Sequence, residues 1–304
     1  MEKKMNYILF NPKSNSENND LNIIPGKEEL ERRGVKQISL LDLDVREFSK
    51  SLTEGDRVLI CGGDGTLHHF ANNTHGITFP CPIFLVRSGT GNDFLNDIGQ
   101  SGTEDLIDVR EYIKDLPAVD IDGERRYFIN GIGMGIDGAV CDGVEKYKAR
   151  TGKKANYTAI ALELLMYKYK RPCATVTVDG VTRQYKDVWM ASAMHGRYFG
   201  GGMMISPTQD RNTGKLSVMV MHGGSRPKVL TIFPSVFKGT HIKHKEIVEI
   251  FEGDEVTVTF DRPIAFQADG ETKADMITYT ARSARRMKEL EAAAKTEEAV
   301  GVTE

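Results

Sequence analysis

The chain has 304 residues, enough for two domains or one large one, and its 40% hydrophobic and 27% charged residues are those of an ordinary globular protein. Its 40 Lys and Arg stand against 43 Asp and Glu, a net charge of −3, so there is no global positive field of the kind nucleic acid binding calls for. The four cysteines, Cys61, Cys81, Cys141 and Cys173, form no CxxC pair and no zinc-ligand spacing, and read as reduced small hydrophobes of a cytoplasmic protein.

The N-terminus has no long apolar stretch of a secretory signal, and no run approaches the roughly 18 apolar residues of a membrane span. Tyr7-Ile8-Leu9-Phe10 reads as a buried strand. Residues 27–33 read as a helix stopped by Gly34, residues 37–41 as a second strand and 45–52 as a second helix. Arg57-Val58-Leu59-Ile60-Cys61 is a third strand that runs into glycines; 67–73 is helical, and Pro82-Ile83-Phe84-Leu85-Val86 is a fourth strand. Continuous apolar strands separated by helices predict an α/β domain over 1–117, a parallel sheet with helices on both faces. After Leu116-Pro117 the pattern changes. Ala174-Thr175-Val176-Thr177-Val178 before Asp179-Gly180, and the run 255–260, alternate and turn as hairpins do. They predict a mainly antiparallel, β-sandwich-like second domain over 118–282, interrupted by a helix at 155–169. The Ala-, Glu- and Lys-rich tail reads as a charged helix or a frayed end over 283–299, and the segment 283–304 is a candidate to complete the first domain.

Two glycine-rich loops follow consecutive strands. In Cys61-Gly62-Gly63-Asp64-Gly65-Thr66-Leu67, glycines permit close backbone approach, Thr66 is placed to cap the next helix, and the helix N-terminus suits phosphate. A bare carboxylate such as Asp64 repels phosphate, and fits such a cradle if it holds Mg2+ or accepts a proton. Arg87-Ser88-Gly89-Thr90-Gly91-Asn92-Asp93-Phe94 offers a second set of donors, with Asn92 or Asp93 opening a helix. Phe10-Asn11-Pro12-Lys13-Ser14 follows the first strand and belongs to the same sheet edge, where ligands of open α/β sheets bind. Each loop alone also suits a plain structural turn; three in order do not.

The order NPxS, GGDGT, GTGNDF resembles the diacylglycerol kinase catalytic-domain family, which includes bacterial lipid kinases and is related to sphingosine kinases and, more distantly, NAD kinases. The resemblance continues through Val119-Asp120, Tyr127-Phe128-Ile129-Asn130, Gly131-Ile132-Gly133-Met134-Gly135-Ile136-Asp137, Gly200-Gly201-Gly202-Met203 with Pro207, and Asp269-Gly270-Glu271. It implies ATP-dependent phosphorylation of a lipid hydroxyl, on diacylglycerol or a related lipid alcohol, by a protein peripheral to the membrane, with ATP and Mg2+ as cofactors and the nucleotide in a cleft between the domains. It assigns Asn11, Ser14, Gly62, Gly63, Gly65, Thr66, Ser88, Gly89, Thr90 and Asn92 to the nucleotide. Asp64 and Asp120 belong to the Mg2+ network, and Glu271, with Asp269 as second choice and Asp64 beside them, to catalysis. The family's structural metal site has Asn212-Thr213 where acidic residues are usual, leaving Asp210 in another register; Asn96 stands where an arginine is common.

Asp269-Gly270 is also an ordinary hairpin turn. His68 and His69 share no helix face and form no metal pair. The basic stretches at 146–154 and 238–245 suit either lipid headgroups or a solvated surface. Phe199, Met203 and Met204 suit a substrate cleft or core packing. Two other functions stay open: a kinase of a soluble substrate such as NAD, and a nucleotide- or lipid-binding protein without catalysis. Exposed sheet edges permit a homodimer.

Overall fold

Three apolar runs near the N-terminus build the first sheet of the computed structural model, which describes residues 4–12, 34–87, 92–100, 106–153 and 155–301, the side chains of 295–301 excepted. Strand β1 (Met5–Phe10) lies between β2 (Gly34–Ser39) and β3 (Arg57–Gly62), and β4 (Ile83–Arg87) lies beyond β3, all parallel. A two-residue edge strand, β5 (Ile107–Asp108), runs antiparallel to β4, so the sheet is parallel except at that edge. β3 is buried from Val58 to Gly62, the unbroken apolar run of a strand covered on two faces. Helix α1 (Val45–Ser51) is capped by Asp44, whose carboxylate accepts the Arg46 and Glu47 N–H groups. Helix α2 (Asp64–Thr74) buries Leu67, Phe70, Ala71 and Thr74, a single face at helical spacing. Short helices α3 (Asp93–Asp97) and α4 (Arg110–Ile113) complete the unit.

Two boundaries differ from the sequence reading. The second strand opens at Gly34, three residues before the expected start at 37, because the Gly34 N–H bonds the Lys4 carbonyl and sets the register with β1. Helix α2 starts at Asp64, three residues before the apolar periodicity begins. The helix expected at 27–33 lies outside the described residues.

The chain divides into two units, Met1–Asp115 and Leu116–Glu304. The second unit is built on a ten-stranded sheet. It contains β6 (Ala118–Ile121), β7 (Glu124–Tyr127), β8 (Gly131–Gly135), β9 (Ala174–Val178), β10 (Val181–Tyr185), β11 (Val188–Met194), and a small separate pair, β12 (Tyr198–Phe199) and β13 (Met203–Met204). The remaining strands are β14 (Leu216–His222), β15 (Val248–Gly253), β16 (Glu255–Ala268) and β17 (Glu271–Arg282). The 14-residue β16 pairs with β17, and on its other side with β9 along its first half and β8 along its second. Register shifts between Thr259 and Phe266 bend it there. The sheet thereby wraps a core in which Ile132 and Met134 of β8, Val218 and Val220 of β14, Val256 and Val258 of β16, and Tyr279 of β17 meet.

Strands β11 and β14 are buried on both sides. Ala191, Ala193, Val218 and Val220 face the enclosed core, while Trp189, Met219 and Met221 face a helical layer. That layer consists of α5 (Ile136–Thr151), α6 (Tyr157–Glu163), a π turn (Leu164–Lys168), α7 (Arg226–Ile232) and two 3-10 turns (Phe233–Lys238 and Thr240–Lys243). The helix expected over 155–169 is thus a shorter α-helix that widens into a π turn. The tail helix α8 (Ala284–Gly301) belongs to the second unit and not the first: the Ser283 N–H bonds the Asp254 carbonyl, and the Arg285 guanidinium pairs with the Asp254 carboxylate.

Candidate active site

Side-by-side parallel strands deliver their C-terminal loops to one sheet edge. Phe10 lies in register with Cys61, and Cys61 with Val86. The loops beginning at Asn11, Gly62 and Arg87 therefore leave the first sheet next to one another. Asn11 is half-buried directly after β1. Ser14 of the first loop, and Ser88, Gly89 and Thr90 of the third, lie outside the described residues.

Gly62 is required by packing: a Cβ there would stand 2.2 Å from Thr66 Oγ1. Gly63 is the N-cap of α2 and no side chain caps that helix, which leaves its positive N-terminal end to an anion. Among the described residues, none comes within 4 Å of where a Gly65 Cβ would stand. Thr66, expected as the cap, lies instead within the first turn, buried with its hydroxyl over Gly62. The helix starts too early in the sequence for Thr66 to serve as cap.

Asp64 has a local task that the sequence did not disclose. Its two carboxylate oxygens accept the N–H groups of Asp93 and Phe94, each at 2.9 Å. It caps α3 from the neighbouring loop, because the α3 N-cap residue, Asn92, makes no side-chain cap bond. Asn92 and Asp93 are buried beside it. The GGDGT loop is thereby tied to the start of α3.

In the second unit, Asp269-Gly270 is a two-residue turn between β16 and β17 with φ of 46° and 91°, the left-handed pair of a tight hairpin. The Asp269 carboxylate accepts three backbone N–H groups, from Ile129 at 2.6 Å, Asn130 at 2.8 Å and Gly131 at 3.0 Å. The Asp269 N–H returns to the Gly131 carbonyl. Asp269 therefore clamps the hairpin to the Asn130 loop, and Glu271 is the first, exposed residue beyond the clamp.

Behind the turn lies a polar group that the sequence reading passed over. Gln267 accepts the Gly270 N–H at 3.1 Å and donates to Asp137 Oδ2 at 3.4 Å, where the Ser192 hydroxyl also donates at 3.1 Å. Asp137 is buried, and its Oδ1 has no hydrogen-bond partner among the described residues. Burial pushes its carboxyl up to about 6, against the hydrogen bonds that favour the charged form. His195 is also buried, its Nδ1 equally unsatisfied; burial first, then the nearby Arg211 charge, holds its pKa down to about 3, so the ring is neutral. A signal for Gln267 was present in its position just before Asp269-Gly270. None marked His195.

The remaining acidic candidates are occupied elsewhere. Asp120 pairs with Arg125 at 3.1 Å and with Arg282; burial would raise its pKa, but the two guanidinium groups hold it below the usual carboxylate range. Asp210 caps the 3-10 turn Arg211–Thr213, accepting from the Asn212 backbone and side-chain amides. His241, counted in a basic stretch, is buried against the Ile205 carbonyl.

Residues 6–121 match the family described as the diacylglycerol kinase catalytic domain, and residues 130–284 the YegS C-terminal NAD kinase beta sandwich-like domain. The chain belongs to the diacylglycerol kinase family. The diacylglycerol kinase of Mycobacterium tuberculosis is 27% identical over 231 residues, covering 72% of this chain and 73% of that one. The diacylglycerol kinase of Bacillus subtilis is 24% identical over 226 residues, 73% of each chain. A crystal structure of a diacylglycerol kinase from Bacillus anthracis aligns with a TM-score of 0.58 at 14% identity, covering 93% of this chain and 95% of that one, a likeness of fold.

For a diacylglycerol kinase family member the fit of Mg2+ can be tested on the acids themselves. Among the described residues no group of three or more His, Cys, Asp or Glu is placed to hold a metal. Mg2+ in nucleotide sites is commonly held by one or two carboxylates, substrate phosphates and water, so a full protein cage is not required. Asp64 fits that part by its chemistry and place, a hard carboxylate donor in the first turn of the helix that follows the glycine-rich loop. Asp120 is already paired with two arginines, and Asp210, like Asp64, caps a helical turn. Among the described residues no helix is long and apolar enough to cross a membrane.

Proposed function

We propose that the protein transfers the γ-phosphoryl group of ATP to a lipid hydroxyl, on diacylglycerol or a related lipid alcohol, while visiting the membrane surface. The observation that carries this reading is that β1, β3 and β4 end side by side at one edge of a parallel sheet, where Asp64 ties the loop after β3 to the start of α3. Asn11, Gly62, Gly63, Gly65, Thr66 and Asn92 supply the close backbone approach and the helix N-terminus that a polyphosphate needs. By resemblance Ser14, Ser88, Gly89 and Thr90 complete that cradle. Mg2+ bound at Asp64 with the nucleotide would neutralise charge on the phosphates. Glu271 is the general base: its carboxylate takes the acceptor hydroxyl proton as that oxygen bonds to the γ-phosphorus and the bond to ADP breaks. Asp269, with all its backbone bonds made, positions Glu271 and is not itself the base.

The test uses γ-labelled ATP, Mg2+ and lipid alcohols in neutral detergent micelles, with NAD in parallel and Glu271→Gln as control. The expected result is a labelled lipid that the variant fails to make, by roughly 100-fold or more, while its nucleotide affinity is unchanged. Label on NAD alone would give the activity to a soluble acceptor. Nucleotide binding with no transfer to any alcohol would make the protein a binding protein.

A further inference from the structure

The helical layer on the second unit has an inner side and an outer side of different character. Inward, Val140, Leu165, Val229 and Ile232 pack on Trp189 and Met219. Outward, α6, the π turn and the 3-10 turn Phe233–Lys238 carry Tyr157, Met166, Tyr167 and Phe237, exposed at 43%, 38%, 78% and 41%, four of the eight large hydrophobic residues exposed among those described. Exposed apolar groups gathered on one layer mark an interaction face, whereas single ones do not.

Beyond Glu145 of α5 the layer is rich in cations, while α5 itself carries Asp142, paired with Lys146, and Glu145, which accepts the Thr272 hydroxyl. Residues 146–171 hold eight Lys or Arg and one Glu, and residues 226–246 hold five and one. The rest of the chain is left with 27 basic and 41 acidic residues, so a protein of net −3 carries two strongly cationic stretches. Their two glutamates are already paired, Glu163 with Lys168 and Glu246 with Lys228. Ten of the thirteen cations are lysines. Lysines are hydrated point charges on flexible stems, suited to a diffuse anionic surface, whereas arginine forks suit a fixed carboxylate. Two of the three arginines are turned to structure, Arg171 and Arg226 each lying over the Trp189 ring.

The π turn is fixed in place. The Arg226 guanidinium donates to the carbonyls of Leu165 at 2.6 Å and Tyr169 at 2.5 Å, satisfying a helix end that would otherwise fray. Tyr167 is therefore held out on an anchored turn, and π turns recur where a helix presents a functional side chain.

We propose that the outer side of this layer is the face with which the protein binds an anionic phospholipid bilayer. Tyr157, Met166 and Tyr167 enter the headgroup boundary, and Lys148, Lys153 and Lys170 meet lipid phosphates. Tyrosine, with an apolar ring and a polar tip, belongs at that depth. The purpose of the contact rests on the lipid-acceptor reading above; the contact itself does not.

The experiment is co-flotation of the full chain with phosphatidylcholine vesicles, with and without phosphatidylglycerol, at low and high salt. The wild type is expected on the anionic vesicles only, less at high salt. A Lys148→Glu, Lys153→Glu, Lys170→Glu variant is expected to bind them at least about 10-fold more weakly. Tyr167→Ala, which changes no charge, should weaken binding roughly 3-fold or more. Both variants should phosphorylate lipid in neutral micelles as the wild type does. Equal binding to neutral and anionic vesicles, or wild-type binding by both variants, would overturn the assignment and leave the face to an acidic protein partner. Vesicle binding that follows the expected pattern with no phosphorylation in micelles would sink the kinase reading and leave the docking face standing.

Discussion

Two buried or half-buried aspartates in the second unit have opposite surroundings, and the difference decides what each does. Asp269 collects three backbone N–H groups, so its charge is met where it lies. Asp137 has a hydroxyl and a long amide contact on Oδ2, while its Oδ1 has no hydrogen-bond partner among the described residues. Its folded carboxyl titrates at about 6 against an ordinary 3.8, with burial the chief cause. The folded state therefore binds this proton more tightly than the unfolded state. The stabilising contribution is fully present below about pH 4 and is lost as pH rises through about 6. Asp137→Asn should remove that loss. Relative to wild type, the variant is expected to gain up to roughly 3 kcal/mol between about pH 4 and pH 7.5. Urea unfolding of both proteins at the two pH values measures it, and a difference that does not change with pH would show that the carboxyl is not perturbed. The glutamine between Asp137 and the hairpin couples this proton to the turn that presents Glu271. None of this was legible in Gly131–Asp137, where the sequence shows an acid after a glycine-rich strand but not that it points into the core.

At the scale of elements, the legible parts were those whose signal is local. The Gly62-Gly63-Asp64-Gly65-Thr66 turn, β3 with its unbroken apolar run and the Asp179-Gly180 hairpin are each set by adjacent residues, and each is found where the sequence puts it. Strands β11 and β14 were missed because burial on both faces erases alternation, and Met-Ala-Ser-Ala-Met carries no β-branched residue to replace it. Asp64 is legible as an acid in a phosphate loop and illegible as the cap of α3, since its partners lie 29 and 30 residues away. That cap can be tested. Asp64→Ala removes both acceptors from a five-residue helix with no other side-chain cap, and should destabilise the first unit by about 2–3 kcal/mol. Hydrogen exchange at the Asp93 and Phe94 amides should rise far more than at β2. Unchanged protection there would mean that water or backbone takes over the cap. Because the same substitution disturbs the loop, loss of activity in it cannot be credited to Mg2+ alone, which is why Glu271→Gln is the cleaner catalytic probe.

At the scale of the whole molecule, the change of texture after Leu116-Pro117 marked two kinds of architecture, and the structure has two: a mostly parallel sheet, then a long antiparallel one. What the sequence could not supply is that the second sheet carries a core on each side. Among the described residues, the enclosed core and the core beneath the helical layer are both made from residues of the second unit, from Val119 to Ala281 and from Ile136 to Val248. The C-terminal helix is tied down within that unit through Asp254. A chain segment with complete cores of its own satisfies the physical requirement for independent folding, since apolar burial is the main term that offsets its conformational entropy. A fragment spanning 116–301 is therefore expected to fold by itself, with native β-rich circular dichroism and a single cooperative urea transition. It should also retain the vesicle binding assigned to its helical layer, because every residue named there lies within it. A fragment that is soluble yet unfolds without cooperativity and binds hydrophobic dyes would mean that the first unit supplies part of the second unit's packing. Cooperative unfolding with vesicle binding intact would show that the second unit is a self-sufficient module.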